Sequence, residues 1–335
     1  YMTDFNIHMW NHCKELWFHP DKIFDEIIKR QPSVINFMAF EDFYFNFLLM
    51  EEDNFIFEEM TDFCFKRNIA TNYILGISEK IPNYYSDPTR NANLLIEPTF
   101  YFRWAFREYK HSLYKTVHSN FKYSFITLLS LPRFYRCMLM DELHRRDLVL
   151  NNAISFKPPP EDYYDFKYHK QNEFIRLPSQ DSFVRDKDVW TPPVEWNESF
   201  FHIVSESSTS KLFITEKTVA PLLGAKLFVS HAAPGFHKNL INFGFQLYDE
   251  IIDYSFDEIQ DDGKRLIAML DAIEPLLKEQ DQLAIYNKMY DKLKYNQMRA
   301  ITIALSKPMP DIPQSVIDYY NHFFCLLYTS DAADD

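Results

Sequence analysis

The sequence predicts an α/β protein of two domains, on three observations. Amphipathic helices alternate with short apolar strands through much of the 335 residues, a pattern that builds layers of helix against parallel strand. Hydrophobic residues make up 47% of the chain and aromatic ones 17%, ample material for two cores at ordinary domain size. Four of the five glycines, Gly224, Gly235, Gly244 and Gly263, fall between 224 and 263. Closely spaced strands and helices need tight turns and left-handed helix ends there.

Taken in order, residues 20–30 have the spacing of an amphipathic helix, and residues 33–39 read as a strand followed by the acids Glu41 and Asp42. The logic then repeats. Phe55, Met60, Phe63 and Cys64 lie at helical spacing over 55–67, and residues 72–77 form an apolar strand with Glu79 just beyond it. Residues 93–106 are expected to add a further strand. Parallel sheets gather ligands at the carboxyl ends of their strands, so Glu41 and Glu79 are placed near a possible cleft. Residues 1–112 are read as one domain on this pattern.

A second domain is expected over 113–305. Residues 122–129 are a buried strand, after which Pro132, Arg133 and Arg136 open a helix running to about Arg146. Residues 157–195, rich in Pro, Asp, Lys and Tyr, read as a long ordered loop or insertion. Residues 261–305 place Leu266, Met269, Leu270, Ile273 and Leu277 at helical spacing and close the domain. Residues 306–324 are expected to form a C-terminal helical segment. Residues 325–335 read as the translation of a sequencing-library adapter and are left out of the fold. The start at Tyr1 suggests a reading frame cut from an assembled fragment, unless Met2 is the true start.

Charge and motifs exclude several classes. A formal net charge of -13 opposes binding to a phosphate backbone, so no nucleic-acid partner is expected. No apolar run reaches the roughly 20 residues needed to span a bilayer, and with Cys325 in the segment left out, the other three of the four cysteines, Cys13, Cys64 and Cys137, are odd in number and fit a reducing, cytoplasmic setting. The glycine spacing gives neither a dinucleotide-binding turn, nor a P-loop, nor a nucleophile elbow. His8, His12, Cys13 and His19 match no established zinc spacing and are read as structural. The triplet at Asp186 and Asp188 arises easily in a charged loop, and no metal or other cofactor is expected.

The most informative segment runs from Ser205 through Gly235. It reads as a strand end, a polar loop, a helix opening on Thr215, Glu216 and Lys217, and then a buried strand ending at Pro234 and Gly235. Free N–H groups at a helix start, with a lysine beside them, suit anionic oxygens, while a glutamate accepts from hydroxyls. That combination points to a nucleotide sugar. The plainer reading is a helix cap with favourable first-turn charge. Arg133 and Arg136 could likewise be a solvated face paired with Asp141 or Glu142.

Glu206, Ser207, Thr215, Glu216 and Lys217 together resemble the donor-binding motif of the alpha-1,3-fucosyltransferase family. The strand, loop and helix that carry Arg133 and Arg136 resemble the same donor domain. With Pro234, Gly235, Gly244, Phe245 and Asp257, the pattern is also similar to glycosyltransferase-like proteins of marine phages and bacteria. The resemblance covers roughly residues 120–258 and is patchy over 157–195. It implies a GT-B-like fold, two Rossmann-like domains facing a cleft, closed by C-terminal helices. It also implies a sugar transferred from a nucleoside-diphosphate donor such as GDP-fucose to a glycan or other hydroxyl acceptor.

On that reading Lys217, Arg133 and Arg136 meet the diphosphate, whose charge grows as the glycosidic bond breaks. Glu216 holds ribose hydroxyls, and Glu41 or Glu79 takes the acceptor's proton as general base. The alternative from another class is a catalytically silent nucleotide-sugar-binding or phage structural protein that keeps the donor fold without a competent base.

Overall fold

The computed structural model describes residues 4–8, 20–39, 54–75, 88–109, 112–113, 120–129, 132–160, 162–170, 173–180, 183–186 and 189–306. Glu41 and Glu79 lie outside the described residues, as do His12, Cys13, His19, Asp188 and residues 307–335. The chain divides into two compact units, one holding the described residues up to Phe100 and the other Tyr101–Leu305. The segment 101–112 thus falls with the second unit.

The first unit is a parallel sheet of β1 (Asp4–His8), β2 (Val34–Ala39), β3 (Ala70–Leu75) and β4 (Ala92–Ile96), in that spatial order. Helices α1 (Pro20–Arg30) and α2 (Asn54–Phe65) lie between the first three strands in sequence, as parallel connections require. Ile23, Ile27, Ile35, Phe37, Met60, Cys64, Tyr73 and Ile74 are buried in its core. One polar row crosses the sheet: Asn6, Asn36, Asn72 and Asn93 are in register on the four strands. Asn72 Nδ2 donates to Asn36 Oδ1 at 2.8 Å, and Asn93 Nδ2 donates to Asn72 Oδ1 at 3.0 Å. Parallel in-register strands put identical amides one strand spacing apart, the distance at which such a ladder closes.

The expected strand over 93–106 is instead β4 followed by helix α3 (Phe100–Tyr109). The aromatic run suggests β structure by propensity. Its buried members, Tyr101, Phe102, Ala105, Glu108 and Tyr109, nevertheless recur at one-, three- and four-residue steps, the helical period. Tertiary burial of that face decides the conformation.

The second unit centres on a parallel sheet ordered β10 (Leu227–His231), β9 (Ser199–Ser205), β5 (Tyr123–Leu129) and β6 (Ala153–Phe156). Every residue of β9 is buried, as expected of a central parallel strand covered on both faces. Helix α4 (Phe134–Arg145) follows β5, with Arg133 as its N-cap and Pro132 one residue outside. The 157–195 insertion holds a short antiparallel pair, β7 (Val184–Asp186) and β8 (Val189–Thr191), and α5 (Val194–Glu198) leads into β9. Helices α6 (Glu216–Leu223), α7 (Phe236–Asn242), α8 (Asp262–Leu277) and α9 (Gln282–Leu305) complete the unit.

Helix α8 packs on α4 and β10, and α9 packs on α6. The predicted apolar positions of α8, Leu266, Met269, Leu270, Ile273 and Leu277, are all buried. Helix α9 also fixes the end of α6 by polar contacts. Gln297 Nε2 donates to the Leu223 carbonyl at 2.5 Å, and Tyr286 Oη to that of Ala225 at 3.1 Å. The left-handed residue here is Ala225 (φ 47°) and not Gly224. At Gly224 a Cβ would stand 3.2 Å from the Ala220 carbonyl, a tight contact, and 3.6 Å from the Trp196 ring, an ordinary one.

Candidate functional site

The helix predicted to open on Thr215, Glu216 and Lys217 does so. Thr215 is extended (φ -111°, ψ -179°), the N-cap conformation, and its hydroxyl accepts the Lys217 N–H at 3.3 Å. Glu206, fully buried at the end of β9, holds this start in place. One carboxylate oxygen accepts Thr215 N–H at 3.1 Å, and the other accepts the Thr215 hydroxyl at 2.5 Å and Ser207 N–H at 3.1 Å. Burial pushes the Glu206 carboxyl upward, against the opposing charge of Lys217 and the hydroxyls of Thr215 and Thr218.

Lys217 Nζ reaches Glu216 Oε1 at 2.6 Å, Ser207 Oγ at 2.9 Å and Thr215 Oγ1 at 3.5 Å. Its three donors are thereby directed at the loop and helix start together. Burial would raise the Glu216 carboxyl, but the charge and hydrogen bond of Lys217, with help from Arg136, outweigh it. The net effect holds Glu216 below the usual carboxylate value.

Both candidate arginines come to the same place. Arg133 Nη1 donates to the Ser207 carbonyl and to Tyr135 Oη, and Tyr135 Oη donates to that carbonyl at 2.6 Å. Arg136 is buried, and desolvation draws its pKa down while Tyr135, Glu216 and Glu206 oppose the shift. The plainer pairing with Asp141 or Glu142 is not what forms. Asp141 accepts the amides of Lys167, Tyr168 and His169, and Glu142 pairs with Arg145 and Arg146. Glu206, Ser207, Thr215, Glu216, Lys217, Arg133 and Arg136 therefore form one cluster within the second unit.

Three further residues organise it. Arg265 on α8 donates to the carbonyls of Thr209, Ile259, Gln260 and Ala232 and to Asp262 Oδ1. Asp262 in turn accepts from Thr209 Oγ1 at 3.0 Å and lies 2.8 Å from His231 Nε2. The polar loop after β9 is thus tied to the start of α8 and the end of β10. The nearby Asp257 does the same for α7, accepting His237 N–H, Lys238 N–H and His237 Nδ1–H at 2.7–3.1 Å. His237 Nε2 accepts Ser230 N–H at 3.2 Å, so both ring nitrogens are engaged.

Beside Glu216 and Lys217 is a cavity of about 240 Å³. Trp104, Tyr109, Phe183 and Trp190 supply aromatic walls, and His202, Ser205, Leu128, Val204 and Ala220 complete it. Ser205 Oγ and His202 Nδ1 are buried with no partner among the described residues. Burial, aided by the charge of Lys226, pushes His202 down to about 3, so its ring is neutral. An apolar pocket with a few polar atoms is the usual form of a small-ligand site.

No protein-family model matches the chain, nor does any curated protein sequence. Among solved structures it is similar to a sucrose-phosphate synthase from Thermosynechococcus elongatus, with 9% identity and a TM-score of 0.46 over 93% of this chain and 80% of that one. It is also similar to an alpha1,3-fucosyltransferase, with 9% identity and a TM-score of 0.37 over 91% of each chain. Both likenesses are of backbone path, and neither transfers an activity to this chain. Among the described residues no helix is long and apolar enough to cross a membrane.

Proposed function

We propose that the chain is a GT-B-like glycosyltransferase that binds a nucleoside-diphosphate sugar, with GDP-fucose as the donor its motif implies, and transfers the sugar to a glycan or other hydroxyl acceptor. The observation that carries this reading is the convergence of two arginines and a lysine on the start of α6, beside a carboxylate held ionised. Cations in a partly buried site interact with a diphosphate more strongly than they would in water, and more strongly still as the leaving group gains charge.

Lys217 bonds Thr215 Oγ1 at 3.5 Å, its longest contact, and that is the donor a phosphate oxygen would capture most readily. Glu216, relieved of part of its bond to Lys217, would then accept from ribose hydroxyls, each such charged bond being worth about 1.5–3 kcal/mol. The aromatic cavity next to Glu216 suits a ring of the donor, whose faces pack on Trp104 and Trp190 while its polar edge meets Ser205 and His202. Glu41 and Glu79 are the proposed alternatives for the general base.

A screen of nucleotide sugars for donor hydrolysis and transfer tests the reading, followed by Glu41→Gln and Glu79→Gln. Neutralising the base should cut turnover by about two to four orders of magnitude with donor affinity nearly constant. Donor binding without turnover in the unmodified chain, across a broad acceptor panel, would favour a silent nucleotide-sugar-binding protein.

A further inference from the structure

We propose that His144, His169 and Glu173 bind a divalent transition metal ion of the zinc type, which clips the segment following β6 to helix α4. The inference is independent of the glycosyltransferase reading. His144 sits in the last turn of α4, while His169 and Glu173 lie four residues apart in the insertion.

His169 Nδ1 is 2.9 Å from His144 Nε2 and 3.7 Å from Glu173 Oε2, and one ligand atom from each residue lies within 4.8 Å of the others. Tetrahedral bonds of about 2.0–2.1 Å place ligand atoms about 3.4 Å apart. The first two separations bracket that value, so small side-chain rotations would seat an ion. Two imidazoles with one carboxylate favour zinc, cobalt or nickel over magnesium or calcium, which take oxygen ligands.

The site is held from behind. Asp141, one helical turn before His144, accepts the backbone N–H groups of Lys167, Tyr168 and His169 at 2.6–3.1 Å. The edges of Phe156 and Phe166 pack on the His169 ring. Ligand rings fixed by packing and by a carboxylate-anchored loop lose little freedom on binding an ion. The simpler role for the same atoms is a hydrogen bond between the two imidazoles, with Glu173 left to solvent.

The two roles separate experimentally. The full chain, stripped with a chelator and dialysed, is titrated with zinc chloride by calorimetry and with cobalt(II) by visible absorption, magnesium chloride serving as control. His144→Ala and Glu173→Gln change side chains that are half-buried and exposed, so both variants should fold, which their far-UV circular dichroism checks. The expected result is one saturable zinc equivalent, a tetrahedral cobalt spectrum, and at least tenfold weaker binding with loss of that spectrum in each variant. Absence of saturable zinc binding would overturn the proposal. So would unchanged affinity in either variant: in His144→Ala the ion would then sit on others of the chain's 11 histidines, and in Glu173→Gln the carboxylate would not be a ligand.

Discussion

The carboxylate of Glu206 accepts both the backbone N–H and the hydroxyl of Thr215, nine positions along the chain, at 3.1 and 2.5 Å. It accepts Ser207 N–H as well, so both of its oxygens face donors. Glu206→Gln would turn an amide N–H₂ toward at least one of them. That substitution should cost about 1–3 kcal/mol, the usual penalty for a buried polar group deprived of its partner, measured by urea unfolding. It should also weaken any ligand held at the start of α6. A variant as stable as the parent would show that the carboxylate does not hold the loop.

Lys226 is buried beneath Trp196, donating to the Ser199 carbonyl at 2.5 Å, and burial pushes its pKa down to about 7. An unfolded chain keeps that proton to about pH 10.4. Between these values the unfolded state binds more protons, so Lys226 makes stability rise with pH by up to about 1.4 kcal/mol per unit. The stabilisation is complete above the unfolded pKa and is lost as pH falls towards 7. Lys226→Met should flatten this dependence and stabilise the protein near pH 7. Denaturant melts of both proteins at pH 7 and pH 9 provide the check, and an unchanged slope would assign the titration to another group.

The asparagine row makes a third test possible. Asn72 bonds Asn36 on one side and Asn93 on the other, from β2 through β3 to β4. Asn72→Ala removes both bonds and should destabilise the first unit by about 1–2 kcal/mol, with Asn93→Ala, at the exposed edge, costing less. Urea unfolding of the two variants gives the comparison. Equal losses would mean the ladder is not cooperative across β3.

Periodicity made most of the architecture legible. Helices α1, α2, α4, α8 and α9 and strands β2, β3, β5 and β10 fall where the apolar residues put them, as amphipathic helices or short apolar runs. β1 and β6, of five and four residues, carry no signal of their own, whereas β10, also of five, is marked by the Pro234–Gly235 turn that ends its segment. Helix α3 was obscured by an aromatic run whose propensity and burial disagree. The cluster around Glu216 was legible in part, because Thr215, Glu216 and Lys217 are local and carry a helix-start signature. Arg265, Asp262, Tyr135 and the walls of the aromatic cavity were not, since contacts such as Arg265 with Thr209 span 56 residues and leave no local pattern. A polar loop of consecutive serines and threonines, Ser207 to Ser210, was the available hint that something distant must hold it.

The central claim is that the start of α6 holds a nucleoside diphosphate through Lys217 and its ribose through Glu216. Calorimetric titration of guanosine diphosphate and of guanosine into the full chain and Lys217→Ala addresses it most directly. The account predicts that the variant loses at least tenfold in affinity for the diphosphate while binding of the nucleoside changes little, since only the diphosphate carries the charge that Lys217 meets. Equal losses for the two ligands, or undiminished diphosphate binding, would contradict it.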